Sequence, residues 1–446
     1  MPTIEVLDDE GNDQDLQQGT LNDLLETLRS TLKVPKHFDD EDWAVGEHGA
    51  TLIAWRNASN GHLKRLWDHV QKCDNFELQE HFVSIIGTTV PLAGSSAWTK
   101  PDSRSIAHNI VNSLGEPTQS QIRAVLLEWV RPAFEATASH THINMATGSR
   151  SQRGPNAPVV YQDDDDNVWK ENPGMADVIL WCISSLKIQD WEVLWPLLIP
   201  PILAYMDDWQ AIHRIQGIAL ARKLIEGAPP ELLKRSGIDQ LMRLSLETSL
   251  LRYGDPQSPT LFKHAMLASL ELVDKTTKKD GLERHTRLFA LLGDSMIGGT
   301  WSFGYREPLL IQASYDVLPN LLDALGVAFV RYLKAIVPQL VHTISSPPEM
   351  KVPPTLREAA LRCLTKVVDI GASRISYWSG EIISGIAKAL VQSGNADASL
   401  RQLVGAVLHV LLDKCPDTTK NHLEALKELD PTLRAAFAVD SPLLSK

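Results

Sequence analysis

Trp195 to Ile225 reads WPLLIPPILAYMDDWQAIHRIQGIALARKLI, and this stretch decides the fold. An apolar helix runs to Tyr205-Met206, the acidic pair Asp207-Asp208 turns and caps, and a second amphipathic helix follows with Ile212, Ile215, Ile218, Ala219 and Leu224 on one side. That is one helical hairpin. Further second-helix starts fall at Pro259, Pro308, Pro354 and Asp397, so that counting from Asp208 the steps are 51, 49, 46 and 43 residues. Proline suits the first helical turn, where its missing N–H would have had no partner, and aspartate suits the cap before it. The segments that follow, LFKHAMLASLELV, LLIQASYDVL, LREAALRCLTKVV and LRQLVGAVLHVLL, repeat apolar residues at helical spacing, three of them with an early basic residue, Lys263, Arg357 or Arg401. A period of about 40–47 residues built from two or three helices is that of HEAT and armadillo arrays. The spacing therefore predicts an all-α fold, an α-solenoid of HEAT/armadillo-like repeats.

The hairpins are completed by helices predicted over Glu231–Leu251, Leu282–Met296, Val327–Ile344 and Ile375–Gln392. Pro200-Pro201 and Pro338 lie inside apolar helical patterns, where each is expected to kink its helix. Upstream, Leu21–Leu32, Thr51–Lys72, Phe76–Ile86, Ser105–Leu114 and Pro117–Phe134 read as helices, a degenerate continuation of the array. Composition shifts then divide the chain into an acidic, disordered N-terminus (1–20), an N-terminal helical region (21–135), a polar and acidic loop or linker (136–168) and a C-terminal repeat region (169–446).

A net charge of −12 argues against nucleic acid as a partner, and Lys275–Lys279 (KTTKK), the nearest approach to a basic run, reads as a solvated loop. The four cysteines, Cys73, Cys182, Cys363 and Cys415, are far apart and suggest reduced core thiols, with neither a zinc cluster nor a disulfide framework. The chain starts without a basic-then-apolar signal, and no uninterrupted apolar run reaches the ~18 residues of a membrane span. A soluble protein of the cytoplasm and nucleus is the expectation, with no membrane partner.

Four features imitate chemistry. Asp163–Asp166 lacks the alternate spacing and glycine turn of a calcium loop and reads as a solvated acidic face. His140 and His142 lack the companions of a zinc site and read as polar loop residues. Gly298-Gly299-Thr300-Trp301-Ser302-Phe303-Gly304 has no preceding strand and no following Gly-Lys-Ser/Thr, so it reads as an interhelical loop whose Trp301, Phe303 and Tyr305 are offered to a partner. Ser149 and Ser151 beside arginines read as loop serines. With none of the common hydrolase, metalloprotease, kinase or redox motifs, no catalytic, cofactor or metal residue is assigned, and a scaffold is favoured over an enzyme.

Tryptophan is the sharper clue. Of 12 in the chain, Trp169, Trp181, Trp191, Trp195 and Trp209 fall within 41 residues. Trp181 and Trp195 read as core of successive helices, whereas Trp169, at a loop end, and Trp209, at a turn, read as interface anchors. Asp207, Asp208 and Arg214 read as residues that cap and tie one hairpin.

The stretch Trp169–Ile225 also resembles the Tel-Two-interacting protein two family. The resemblance is carried by Trp169, Asn172-Pro173 and Trp181 before an apolar helix, then by the WPLLIPPIL helix with Trp195, the Asp207-Asp208 turn, Arg214 and Gly217. It is strong over Trp169–Leu251, architectural in the later repeats and weak before Ala136; Tyr205-Met206 and Trp209 stand where the sequence departs from the pattern. The resemblance implies a non-enzymatic HEAT-like subunit of the Triple-T co-chaperone complex, bound to Tel-Two and to Tel-Two-interacting protein one. It further implies phosphatidylinositol-3-kinase-related kinases as clients and heat-shock protein 90 as an indirect partner. The alternative from composition and architecture is a nuclear-transport or trafficking adaptor, which would need a ladder of Trp-Asn pairs or acidic rows that the five copies do not present.

Overall fold

The structure, a computed structural model, describes residues 20–40, 42–134, 142–144, 146–151, 168–347, 350, 352–393 and 398–429. Among the described residues the regular structure is helical apart from one two-stranded ribbon. The chain separates into two compact units, one of Met1–Asp208 with Ala219–Leu241, the other of Trp209–Ile218 with Met242–Lys446.

The first unit holds α1 (Leu21–Thr31), α2 (Gly49–Val70), α3 (Asn75–Glu80), α4 (Phe82–Ala93) and α5 (Pro101–Ser113). A continuous helical stretch follows, α6 (Gln119–Val125), a π turn (Leu126–Val130) and α7 (Arg131–Phe134). Thr20 and Thr118 open α1 and α6 with capping boxes, each hydroxyl accepting from the N3 amide while the N3 side chain returns to the cap. The helix expected over Phe76–Ile86 is instead two, broken at His81. Central to this unit is α4, which packs on α1, α5, α6 and α8 (Met175–Ser184) and is buried along Ile85–Leu92. Gly87 makes one of those contacts possible, since a Cβ there would lie 2.2 Å from the Trp129 ring.

The segment read as a loop contains a short ribbon, β1 (Ile143–Asn144) paired antiparallel with β2 (Ser149–Arg150). Its tip is seated on the start of α9 (Trp191–Asp207): Gly148 takes a left-handed φ of 62° and its carbonyl accepts from Trp195 Nε1 at 3.1 Å. A side chain at Gly148 would meet the Pro196 backbone at 2.9 Å. The Arg150 guanidinium bonds the Gln240 side chain. Helix α9 runs unbroken through Pro196, Pro200 and Pro201.

Next come α10 (Ala211–Gly227), α11 (Pro230–Ser236) and α12 (Ile238–Leu250). The single helix expected over Glu231–Leu251 is two, because Gly237 adopts φ +69° after Lys234-Arg235, a left-handed C-terminal stop.

In the second unit the periodic starts are where the spacing placed them. Helices α13 (Ser258–Thr276), α15 (Pro308–Leu325) and α17 (Pro354–Ile370) carry Pro259, Pro308 and Pro354 in their first turns. Asp397 lies outside the described residues, and α20 (Ala398–Lys414) begins immediately after it. Helices α13, α15, α17 and α20 pack successively to form one layer. The other layer holds α14 (Leu282–Ala290), α16 (Leu333–Ser345), the short α18 (Ala372–Ile375), α19 (Ser379–Ser393) and α21 (Pro416–Leu429), with α16 on α19 and α19 on α21. This repeated two-layer pairing is that of an α-solenoid. Leu310, Leu318, Leu321 and Leu322 of α15 are wholly removed from solvent, each burial contributing about 1.5–3 kcal/mol.

One ion pair accompanies each step along the first layer: Lys263 of α13 with Asp316 of α15, Asp323 of α15 with Lys366 of α17 at 2.6 Å, and Asp369 of α17 with Lys414 of α20 at 3.4 Å. The early basic residue Arg357 turns elsewhere, donating to the Ser346 carbonyl at 2.7 Å. The glycine-rich segment expected to be a loop is helical, part of a π stretch over Leu291–Trp301 that prolongs α14. Its glycines admit neighbours, since a Cβ at Gly293 would stand 2.7 Å from Tyr332 Oη and one at Gly299 2.9 Å from Leu251 and Tyr253.

By length and mean hydropathy, Pro308–Ser345 passes as a membrane span, although Asp316, Asp323, Arg331 and Lys334 interrupt its apolar runs. The segment is three elements, α15, a 3-10 stretch (Gly326–Tyr332) and α16, and its Leu321, Leu322, Ile336, Val337 and Leu340 are core residues of the unit.

Candidate interaction site

In the first unit, the residues singled out by sequence converge on the C-terminal end of α9. A 3-10 turn (Val168–Glu171) brings Trp169 onto Phe134, ring centroids 5.6 Å apart and nearly parallel, and onto Tyr205, 4.4 Å away and tilted. Trp169 is only 1% exposed. This corrects the reading of Trp169 as an interface anchor: its large apolar area is consumed inside the fold. Lys170 lies over the same indole, its Nζ 5.4 Å from the ring centroid, and pairs with Asp208 Oδ2 at 2.6 Å, the two side chains 15% and 6% exposed. Asp208 also closes α9, its amide donating to the Tyr205 carbonyl. It is thus a clasp that ties the turn before α8 to the end of α9, and its neighbour Asp207 faces solvent.

The Asn172-Pro173-Gly174 turn lets α8 approach α4, because a Cβ on Gly174 would lie 2.6 Å from Pro91. Beyond it Asp177 is largely desolvated, which raises its carboxyl pKa to about 7. Burial, and then the carboxylates of Asp39, Asp177 and Asp208, push the Tyr205 phenol well above its ordinary range. Such shifts can mark reactive sites. Here Tyr205 is enclosed by aromatic rings, and the arrangement offers no nucleophile beside a base.

Trp195, predicted as core, is core and anchors the ribbon through its indole N–H. Trp191 is also buried, against Gly227, whereas Trp181 is half-buried with its ring 6.1 Å from Phe82. In the second unit, Arg214 donates to Thr248 Oγ1 and Ser249 Oγ at 3.0 Å each, so it ties α10 to α12. Gly217 is buried. Trp209 remains open, 55% exposed, as an anchor requires. The partners that sequence reasoning missed are Phe134, Tyr205 and Lys170, which no local pattern connects to Trp169.

The glycine-rich aromatics divide. Trp301 is buried and donates to Ser314 Oγ at 2.9 Å, which corrects its reading as a contact residue, while Phe303 and Tyr305 are 70% and 60% exposed. His140 and Asp163–Asp166 lie outside the described residues. Cys182, Cys363 and Cys415 are buried free thiols and Cys73 is half-buried. Burial raises the thiols of Cys182 and Cys363, and the Cys363 thiol donates to the Tyr315 carbonyl at 2.9 Å.

Paired helices in layers, with residues such as Trp169, Asp208 and Arg214 spent on internal ties, define a helical-repeat protein. The Tti2 family model matches residues 85–351, more than half of the chain. The chain belongs to the Tti2 family. Among solved structures it is similar to the karyopherin Kap121p bound to the SUMO protease Ulp1p, with 11% identity, a TM-score of 0.52, and coverage of 92% of this chain and 35% of that chain. It is also similar to Kap121p bound to Ste12p, with 11% identity, a TM-score of 0.51, and coverage of 95% of this chain and 40% of that one. The chain therefore spans well under half the length of these structures, and at such identity the likeness is one of fold.

Proposed function

We infer that the chain serves within the Triple-T assembly as the scaffold that binds Tel-Two and Tel-Two-interacting protein one while newly made phosphatidylinositol-3-kinase-related kinases pass to the heat-shock protein 90 machinery. The observation that carries this reading is the family match over 85–351, which takes in the aromatic clasp and much of the helical array. A helical array suits the work because each repeat contacts only its neighbours, leaving long side-chain rows for another elongated protein. On this reading Trp209, Phe303 and Tyr305 are contact residues, whereas Trp169, Trp195, Asp208, Arg214 and Gly217 act indirectly by keeping their hairpins folded. The protein works in cytoplasm and nucleus, which fluorescence of the tagged chain checks.

Affinity purification of the tagged protein from its native cell, with mass spectrometry, is the test. Recovery of both other Triple-T subunits together with kinase clients supports the reading. Importin or vesicle-coat components in their place overturn it and promote the adaptor. Trp209→Ala is expected to weaken capture of the partner subunits by about 30-fold, a loss of about 2 kcal/mol, with the thermal melt unchanged.

A further inference from the structure

The geometry points to a zinc-type divalent-cation site formed by His69, Cys73 and Glu77 at the joint between α2 and α3. Their ligand atoms, an imidazole nitrogen, a thiol sulfur and a carboxylate oxygen, all lie within 4.8 Å of one another, and all three residues are half-buried. Donors bound to one tetrahedral zinc stand about 3.3–3.6 Å apart, given Zn–S of about 2.3 Å and Zn–N of about 2.0 Å. Small side-chain rotations close that difference.

The backbone already presents the three donors together. Cys73 follows His69 by one turn, its amide donating to the His69 carbonyl at 3.2 Å, so the helical path continues past the end of α2. Asp74 then caps α3, accepting from the Glu77 amide at 2.8 Å, which places Glu77 in the first turn facing back to the thiol. Burial, and then the neighbouring Glu77 carboxylate, push the Cys73 thiol up to about 11. A bound dication reverses this balance: the thiol proton leaves to solvent, a sulfur–metal bond replaces the S–H bond, and the carboxylate gains a cation beside it. The nitrogen–sulfur–oxygen donor set suits zinc, whereas calcium and magnesium take oxygen ligands. Three protein ligands leave a fourth position for water.

The experiment uses the full, untagged chain, stripped with chelator and kept reduced by a phosphine. Cobalt(II) is expected to give a thiolate-to-metal charge-transfer band that saturates at about one equivalent and is displaced by zinc. Cys73→Ser is expected to abolish the band, His69→Ala to weaken binding by at least about tenfold, and zinc to raise the melting temperature of the parent chain but not of Cys73→Ser. No band in a folded parent chain, or a band unchanged in Cys73→Ser, overturns the site. Far-ultraviolet circular dichroism of each variant separates loss of the site from loss of the fold.

Discussion

The two units bury apolar helices by different means. In the second, α13, α15, α17 and α20 repeat one arrangement with Pro in the first turn of three helices and one ion pair per step. In the first, among the described residues, single large side chains organise the contacts, above all Trp169 between Phe134 and Tyr205, Trp129 over Gly87, and Trp195 on Gly148. A repeated solution spreads stability thinly over many positions. An unrepeated one concentrates it in a few, so equal-looking substitutions should have unequal effects in the two units.

The largest effect is expected at the clasp. Asp208→Ala removes a carboxylate from a mostly enclosed ion pair with Lys170 and should cost about 3–5 kcal/mol in urea unfolding, whereas Lys170→Met with Asp208→Leu should recover most of it. A full-sized loss in that double variant would show that Asp208 matters for something other than charge.

Second is Asp177, whose folded pKa of about 7 stands above the ordinary aspartate value of about 3.9. The fold favours its neutral form, so its contribution is fully present below about pH 4 and is lost as pH rises through 7. Asp177→Asn should therefore raise stability at pH 8 by on the order of a few kcal/mol, with the gain fading toward pH 4. Unfolding curves at the two pH values check the sign.

Gly87→Ala should cost about 1–3 kcal/mol, because the new methyl meets the Trp129 ring and not open space. Smallest is the ladder: Lys366→Ala, which removes a pair whose acid is 60% exposed, should cost less than about 1 kcal/mol. A ladder variant more damaging than the clasp variant would overturn the contrast between the units.

The same contrast explains what could be read from sequence. The second unit was legible because its signals are local and recur, proline at a helix start and an apolar stripe about every 50 residues. The first was partly legible, its helices found but two breaks missed. Gly237 after Lys234-Arg235 is a helix-stop pattern that the surrounding apolar periodicity masked, and His81 carries no such pattern. Trp169 and Trp301 stand beside loop-like residues and were read as surface, but the partners that bury them lie far along the chain or behind a π turn. Local sequence can report that a residue leaves a helix; it cannot report which distant ring covers it.

The order of the second-helix layer has a consequence for synthesis. Each of α15, α17 and α20 packs on a helix that has already left the ribosome, at intervals of about 50 residues. The array can thus be zipped from its earlier end while translation continues, with a single hairpin's apolar face waiting at any moment for a neighbour.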